Sequence, residues 1–160
     1  MIKIGVVHGG AFVLSQDRLE QVQEIFQKTF PAEAAYAARI PSLLRDPLRF
    51  GYRSALLVAE NAMARVEGFA LLMHFPAVEC AFLDFLGVRP DIRGGGIGGA
   101  LYEAAREYAQ RIGAKALYLE VVPDLSDLTP DPIKLEESRK RIRFYETYGV
   151  RVIEGTAYST

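Results

Sequence analysis

The sequence predicts an α/β domain with a mixed, mostly antiparallel sheet flanked by helices. Apolar strand patterns at residues 53–60, 65–74 and 78–88 are joined by short turns, which is typical of an antiparallel meander. A glycine-rich turn then leads into an amphipathic helix at 97–112 and a further apolar strand at 115–122. This order of strand, helix and strand predicts a right-handed crossover between parallel strands.

Two helical segments are predicted between a first strand at residues 2–8 and the meander. Asp17 and Glu20 stand three residues apart, so we expect them to form a capping box that begins the first helix. The second helical pattern, at residues 32–46, contains Pro41. Because proline lacks an amide donor, we expect a break at that position.

The region after the crossover predicts one more helix and one more strand. Gly113 is well placed to end the crossover helix, and Asp131 followed by Pro132 begins the last helix. That helix is expected to end near Gly149. Residues 150–154 have the pattern of a short strand.

Composition and length indicate one ordinary globular domain. The 160 residues are 50% hydrophobic and 24% charged, with a formal net charge of −1. A nearly neutral chain has no broad field that favours nucleic acid or an anionic membrane, and no apolar run has the length of a membrane span. Cys80 is the only cysteine and the chain has two histidines, so we predict no internal disulfide, no metal site and a cytoplasmic location.

The most informative stretch is the turn at residues 93–99, Arg-Gly-Gly-Gly-Ile-Gly-Gly. Five glycines within six residues strip the side chains from a strand-to-helix turn, so backbone amides can come close to a ligand. The helix N-terminus adds a partial positive charge. Together these features favour a phosphate or pyrophosphate group, which predicts a phosphorylated cofactor.

A dinucleotide-binding protein is one interpretation of this turn. Gly94, Gly96 and Gly99 satisfy G-x-G-x-x-G, and Glu120 follows about 20 residues later. However, five residues, 89–93, separate the preceding strand from the glycines, whereas the dinucleotide turn is tight. Only about 40 residues follow Glu120, which are too few for the remaining strands of that fold. The dinucleotide fold and a purely structural turn therefore stay remote alternatives.

Two motifs resemble those of the GNAT superfamily of N-acetyltransferases. Residues 88–98 look like its acetyl-CoA-binding motif Q/R-x-x-G-x-G/A, with Gly94 and Gly96 in the glycine positions and Asp91 departing from the usual first residue. Residues 142–150 resemble the later helix of the family, with its F-Y-E-x-x-G-F signature. The order of elements matches over nearly the whole chain, so the resemblance implies the GNAT architecture with a splayed central strand pair.

The resemblance implies a single acetyltransferase domain over residues 1–160. The family closes its sheet with a hairpin after the last helix, whereas residues 150–160 allow one strand and a stub. The closing strand is therefore expected to be absent or supplied elsewhere. A neighbouring subunit that covers the exposed edge would make the protein a homodimer.

The resemblance also implies where acetyl-CoA binds. The strand before the turn splays away from its neighbour, its open backbone groups pair with the pantetheine arm, and an amide there polarises the thioester. The amides of the turn hold the pyrophosphate, and the last helix has a serine where many members carry an asparagine that contacts the cofactor. The expected cofactor-binding residues are Leu86, Val88, Arg93, Gly94, Gly95, Gly96, Ile97, Gly98, Gly99 and Ser138.

Three residues are candidates for the chemistry of acetyl transfer. Tyr145 matches the tyrosine of F-Y-E, which the resemblance implies is the general acid that protonates the coenzyme A thiolate. Two acids compete for the general base. Glu120 lies on the strand after the cofactor helix, a position that resembles the base of ribosomal-protein N-terminal acetyltransferases. Asp84 is expected to share a strand face with Phe82 and Leu86, where partial desolvation raises its pKa toward useful values.

The predicted function is transfer of acetyl from acetyl-CoA to a primary amine of a small molecule or a protein, by direct attack. The alternative is a non-catalytic acyl-CoA-binding module that kept the turn but lost turnover. No metal, nucleic acid or membrane is expected as a partner. The sequence leaves the acceptor open among a polyamine, an amino acid, an antibiotic and a protein N-terminus, because a widely shared fold carries no substrate information.

Overall fold

The computed structural model describes residues 1–8, 15–46 and 48–158. The chain divides into two compact units, Met1–Leu119 and Glu120–Thr160. The first unit contains the sheet, the glycine turn and the helix that follows it. The second unit contains the last helix and the segment after it.

The sheet of the first unit is mixed and mostly antiparallel, as predicted. Its strands lie side by side in chain order, and the first three pairings are antiparallel while the last is parallel. The antiparallel meander and the parallel crossover strand are therefore both confirmed. The strands are β1 Lys3–His8, β2 Arg53–Glu60, β3 Val66–Phe75, β4 Cys80–Val88 and β5 Ala116–Leu119.

The helices of the first unit lie against its sheet. The first unit contains α1 Gln16–Thr29, α2 Ile40–Arg45 and α3 Ile97–Arg111, with a 3-10 segment Pro31–Arg39 between α1 and α2. The second unit contains α4 Pro132–Glu146. Within the described residues, no helix combines the length and the apolar character that crossing a membrane requires.

The start of α1 differs from the prediction. Ser15 is the N-cap, and its hydroxyl oxygen accepts the amide hydrogen of Arg18 at 3.4 Å. Asp17 lies inside the first turn, where its negative charge faces the positive end of the helix dipole. The predicted capping box at Asp17 is wrong, because Ser15, two residues earlier, already supplies the acceptor that the first amides need.

The break that was predicted at Pro41 is also displaced: it lies before Pro41, between the 3-10 segment and α2. The 3-10 segment ends at Arg39, and Pro41 lies in the first turn of α2. The first turn of a helix does not need the amide donor that proline lacks. Pro41 therefore begins a helix here instead of interrupting one.

α1 and α3 cover opposite faces of the sheet. Phe69 of β3 packs against Phe26 of α1, with the ring centroids 5.9 Å apart. The neighbouring Gly68 points the other way, because successive strand residues face opposite sides. A Cβ built on Gly68 would lie 2.9 Å from Cδ1 of Leu101 in α3. We call these two sides the α1 face and the α3 face.

β4 carries a bulge at Asp84. Leu71 of β3 pairs with Phe85, and the next residue, Leu72, pairs with Leu83. Asp84 is therefore an extra residue on β4 with no opposite number on β3. The alternation of side chains between the two faces is reversed beyond it.

The bulge removes Leu86 from the predicted common face of Phe82, Asp84 and Leu86, whereas Asp84 shares the α1 face with Phe82 as predicted. Phe82 pairs with Met73 and points to the α1 face, whereas Leu86 pairs with Ala70 and points to the α3 face. Strict alternation along β4 would have placed Phe82 and Leu86 on the same side. The prediction was wrong for Leu86, because a bulge is set by how two strands fit together, which the pattern of one strand does not reveal.

β5 is shorter and more exposed than the strand predicted at residues 115–122. It spans Ala116–Leu119, and its side chains are half-buried or exposed. It lies at the edge of the sheet and pairs with β4 from Cys80↔Ala116 to Leu83↔Leu119. The predicted buried strand is therefore wrong in length and in burial, because an edge strand packs against a neighbour on one side only.

In the second unit, α4 forms as predicted but residues 150–154 do not form a strand. The carboxylate of Asp131 caps α4 by accepting the amide hydrogen of Ile133 at 2.9 Å. Val152 and Ile153 are 65% and 61% exposed. A strand needs a hydrogen-bonded neighbour, and within the described residues this segment pairs with none. An apolar pattern alone therefore does not produce a strand here.

Candidate functional site

The glycine turn between β4 and α3 is exposed to solvent. Gly94 and Gly96 have φ angles of +92° and +79°, in the left-handed region that glycine adopts without strain. A Cβ built on either residue would meet nothing within 4 Å, so the space beside the turn is open. Gly96 is the N-cap of α3, and no side chain caps that helix.

The N-terminus of α3 can hold an anion. The first amides of a helix lack intrahelical acceptors, and here they belong to Ile97, Gly98 and Gly99. Ile97 and Gly99 are buried, which anchors the turn, while the glycines from Gly94 to Gly96 remain exposed. A phosphate oxygen can accept hydrogen bonds from these amides and meets the positive end of the helix dipole.

Asp91 fixes the approach to the turn. Its carboxylate forms ion pairs with Arg65 at 3.2 Å and with Arg89 at 3.3 Å. Desolvation acts to raise the pKa of Asp91, but a backbone hydrogen bond and the two guanidinium groups outweigh it and hold the pKa below its ordinary value. The residue that departs from the family motif thus ties the start of the turn to the residue just before β3.

β4 continues beyond its pairing with β5. The ladder between the two strands ends at Leu83↔Leu119, whereas β4 runs on to Val88. Among the residues that the structure describes, the last part of β4 has a ladder with β3 only. This is the splay that the resemblance implied, and Leu86 and Val88 lie in it.

Asp84 is hydrogen bonded to Tyr36. The Tyr36 hydroxyl donates to Oδ2 of Asp84 at 2.8 Å, and both side chains are half-buried. Burial raises the pKa of Tyr36 well above its ordinary value, and the Asp84 carboxylate raises it further. Tyr36 therefore stays protonated and acts as the donor. Because α1 leads directly into the 3-10 segment that carries Tyr36, this bond holds the Asp84 carboxylate on the α1 face.

Aromatic packing holds Tyr36 in place. Its ring centroid lies 5.9 Å from that of Phe26 and 5.0 Å from that of Phe85. The guanidinium carbon of Arg39 lies 5.0 Å from the same centroid. Sequence reasoning missed Tyr36, which is 48 residues from Asp84 and belongs to no motif. The fold alone brings the pair together.

The second unit contains the remaining candidates. Tyr145 is 9% exposed, and its ring meets that of Phe144 edge-on with the centroids 5.1 Å apart. Glu120, in contrast, is exposed. Ser138 is buried, and its hydroxyl donates to the carbonyl oxygen of Val122 at 2.6 Å. The Ser138 hydroxyl can therefore contact a cofactor only as an acceptor, because its hydrogen is already donated to Val122. The cofactor contact of Ser138 stays a prediction.

The structure brings part of the predicted set into one continuous path. Asp84, Leu86 and Val88 follow each other along the splayed end of β4, and the chain then enters the glycine turn with Arg93 and the N-terminus of α3. Tyr145, Glu120 and Ser138 belong to the other unit. Within the described ranges, no group of three or more His, Cys, Asp or Glu side chains is arranged to hold a metal ion.

A model of the acetyltransferase (GNAT) family matches residues 19–128. The matched range includes the splayed end of β4, the glycine turn and both candidate bases, Asp84 and Glu120, and it ends before Tyr145. No curated protein sequence matches this chain.

Solved structures that resemble this chain include acetyltransferases. A ribosomal-protein-alanine N-acetyltransferase from Brucella melitensis biovar Abortus 2308 is 20% identical with a TM-score of 0.62, over 100% of this chain and 98% of that one. An aminoglycoside N-acetyltransferase in complex with CoA is 16% identical with a TM-score of 0.67, over 100% and 94%. A Trypanosoma brucei acetyltransferase is 21% identical with a TM-score of 0.63, over 100% and 99%. These structures share the fold, and since the family model matches more than half of the chain, the protein belongs to the GNAT acetyltransferase family.

Proposed function

We propose that this protein transfers acetyl from acetyl-CoA to a primary amine of a small molecule or a protein by direct attack. Membership of the family supports acyl transfer in general, and the proposal adds the acetyl donor and the attacking amine. One observation carries the proposal. β4 extends beyond the end of its pairing with β5 and leads into an open glycine turn, where no side chain caps the helix that follows. Both halves of that arrangement offer backbone groups to a ligand.

The first unit offers two kinds of backbone contact to coenzyme A. The turn amides are suited to the pyrophosphate, because α3 begins there without a capping side chain. The splayed end of β4, with Leu86 and Val88, is suited to the amide groups of the pantetheine arm. A backbone amide that donates to the thioester oxygen stabilises the negative charge that develops there, and one such donor is typically worth about 3 kcal/mol.

In the proposed reaction the amine nitrogen bonds to the acetyl carbonyl carbon, and the carbon–sulfur bond breaks. The amine attacks in its neutral form, and Asp84 receives a proton from the nitrogen as the new bond forms and then releases it to solvent. Tyr145 gives its hydroxyl proton to the departing thiolate and recovers a proton from solvent. The Tyr145 role rests on its match to the family signature, and the side chain is 9% exposed.

Asp84 is the better candidate base of the two acids. It is half-buried at a bulge, a feature that often re-aims a side chain beside an active site. Tyr36 orients the carboxylate by donating its hydroxyl hydrogen to Oδ2. Glu120, in contrast, is exposed to solvent.

Replacing Gly96 with alanine is expected to weaken coenzyme A binding about tenfold. An alanine at φ +79° is strained by roughly 1–2 kcal/mol, so the turn relaxes and its amides lose their aim. Gly113→Ala is the matched control, because Gly113 also has a positive φ, +85°, and open space around a built Cβ, but it lies after the end of α3 and not in the turn. Isothermal titration calorimetry measures both affinities. Equal affinities in the two variants would remove the turn from the binding site.

Tyr145→Phe is expected to lower kcat about a hundredfold, the ordinary effect of removing a general acid. The affinity for acetyl-CoA should stay within about twofold, since the phenyl ring keeps the packing against Phe144. Thiol release with a panel of amines gives kcat, and calorimetry gives the affinity.

The matched control for Tyr145 is Tyr148→Phe, a tyrosine that also packs against Phe144, at 5.3 Å. The control should keep near wild-type turnover. An unchanged kcat in Tyr145→Phe rejects the acid role. If the wild-type protein binds acetyl-CoA but releases no thiol with any amine, the protein is a non-catalytic acyl-CoA-binding module.

Asp84→Asn and Glu120→Gln separate the two candidate bases. Asp84→Asn should lower kcat/KM for the amine about a hundredfold or more, because the amide can still accept from Tyr36 but no longer takes a proton. Glu120→Gln should stay within about threefold of wild type. Steady-state kinetics at saturating acetyl-CoA measures both, and the reverse order of effects would transfer the role to Glu120.

A further inference from the structure

We infer that the acceptor is a small monoamine with an apolar, preferably aromatic, body, which binds over the α1 face of β3 and β4 beside Asp84. This inference rests on the proposed function, in which Asp84 receives the proton of the amine. Neither the family nor the related structures assign an acceptor to this chain. The contacts on the α1 face supply the chemistry that recognises one.

The Tyr36 hydrogen bond determines from which side of the sheet the amine arrives. It holds the Asp84 carboxylate on the α1 face, at the bulge in β4. An amine that gives its proton to this carboxylate must lie within hydrogen-bond distance of it. The body of the acceptor therefore lies on or near the α1 face.

The floor beside Asp84 is apolar and incompletely covered. Phe82 of β4 and Met73 of β3 lie directly opposite each other and point to the α1 face. Both are half-buried, whereas Leu71 on the same face is 1% exposed. Met73 and Phe82 therefore keep some exposed apolar surface, and an apolar ligand that covers this surface gains free energy.

Aromatic rings border this floor. Phe75, two residues beyond Met73 on the same face, has its ring centroid 5.3 Å from that of Tyr52. Tyr52 in turn stacks on Phe50 with the centroids 5.9 Å apart. Tyr52 lies close enough to Tyr36 to contribute to raising its pKa, after burial and Asp84. An aromatic acceptor can make edge-to-face or offset contacts with such rings, which a plain alkyl chain cannot.

The charges on this side favour one ammonium group over several. Asp84 is the acid that an ammonium would meet. Arg39 is exposed, and its guanidinium carbon lies 5.0 Å from the centroid of the Tyr36 ring. Tyr36 in turn is hydrogen bonded to Asp84, so the guanidinium lies near the carboxylate. A second cationic group on the acceptor would approach this guanidinium and be repelled. A polyamine is therefore a poorer acceptor than a monoamine.

Tyr36 acts in this scheme as a positioning residue. Its ring is fixed by Phe26 and Phe85, and its hydroxyl fixes Asp84. Tyr36→Phe keeps the ring and removes only that hydrogen bond. It should lower kcat/KM about tenfold for all amines alike, while KM for acetyl-CoA stays unchanged. If the role of Tyr36 were purely structural, the substitution would change the kinetic constants for the amine and for acetyl-CoA together.

The test compares three acceptors with the wild-type full chain: 2-phenylethylamine, butylamine and spermidine. Thiol release at saturating acetyl-CoA should give kcat/KM at least tenfold higher for 2-phenylethylamine than for either of the others. Turnover that is highest with spermidine or butylamine overturns the inference and leaves the proposed function standing. Absence of thiol release with all three amines, together with a broader panel, overturns the proposed function itself.

A variant of the floor makes the test specific to this face. Phe82→Ala should raise KM for 2-phenylethylamine at least fivefold with little change in kcat, and should alter KM for butylamine much less. Phe82→Leu keeps an apolar side chain but loses the ring, so it should raise KM for 2-phenylethylamine less than Phe82→Ala does. An unchanged KM ratio between the two amines in Phe82→Ala would place the aromatic body elsewhere. An unchanged KM for acetyl-CoA shows that each variant is folded.

Discussion

The site depends on unequal pairing along the two edges of β4. On one edge β4 pairs with β3 from Cys80 to Val88, whereas on the other its ladder with β5 ends at Leu83. Unpaired backbone donors and acceptors must find other partners, so the open end of β4 is suited to a ligand that carries amides of its own. The strand leads directly into a turn whose glycines leave helix amides accessible. Backbone groups therefore offer a continuous path to one extended cosubstrate.

The bulge in β4 gives the same strand a second role. Strict alternation from Phe82 already places Asp84 on the α1 face, where its carboxylate meets the Tyr36 hydroxyl. The extra residue turns the strand beyond it, so that Leu86 points to the α3 face. The backbone of β4 thus serves the acyl donor, while the Asp84 carboxylate faces the side from which we infer that the amine arrives. One strand can in this way bring the two substrates together.

The sequence predicted the parts of this arrangement that are local. The meander follows from three apolar runs separated by short turns, and the residues of β2 are those predicted from the pattern. The glycine turn could be recognised because only glycine accepts the φ angles of Gly94 and Gly96 cheaply. The contacts expected between the turn amides and the pyrophosphate of the acetyl donor follow from this conformation of the glycines.

The parts that could not be predicted depend on contacts between distant segments. The bulge at Asp84 arises from the fit between β3 and β4, and Tyr36 meets Asp84 across 48 residues of sequence. Residues 150–154 have the apolar pattern of a strand, but pairing decides whether a strand forms. The N-cap of α1 shows the same limit on a small scale. Both Ser15 and Asp17 are suitable capping residues, and the sequence did not show which of them begins the helix.

Hydrogen–deuterium exchange with and without coenzyme A tests the central claim most directly, because it reports on backbone amides one segment at a time. Coenzyme A at saturating concentration should slow exchange in two segments, the end of β4 at residues 86–88 and the turn at residues 94–99. NAD at the same concentration is the matched control and should leave both segments unchanged. Tight binding of coenzyme A without protection of these segments, or equal protection by NAD, would contradict the account.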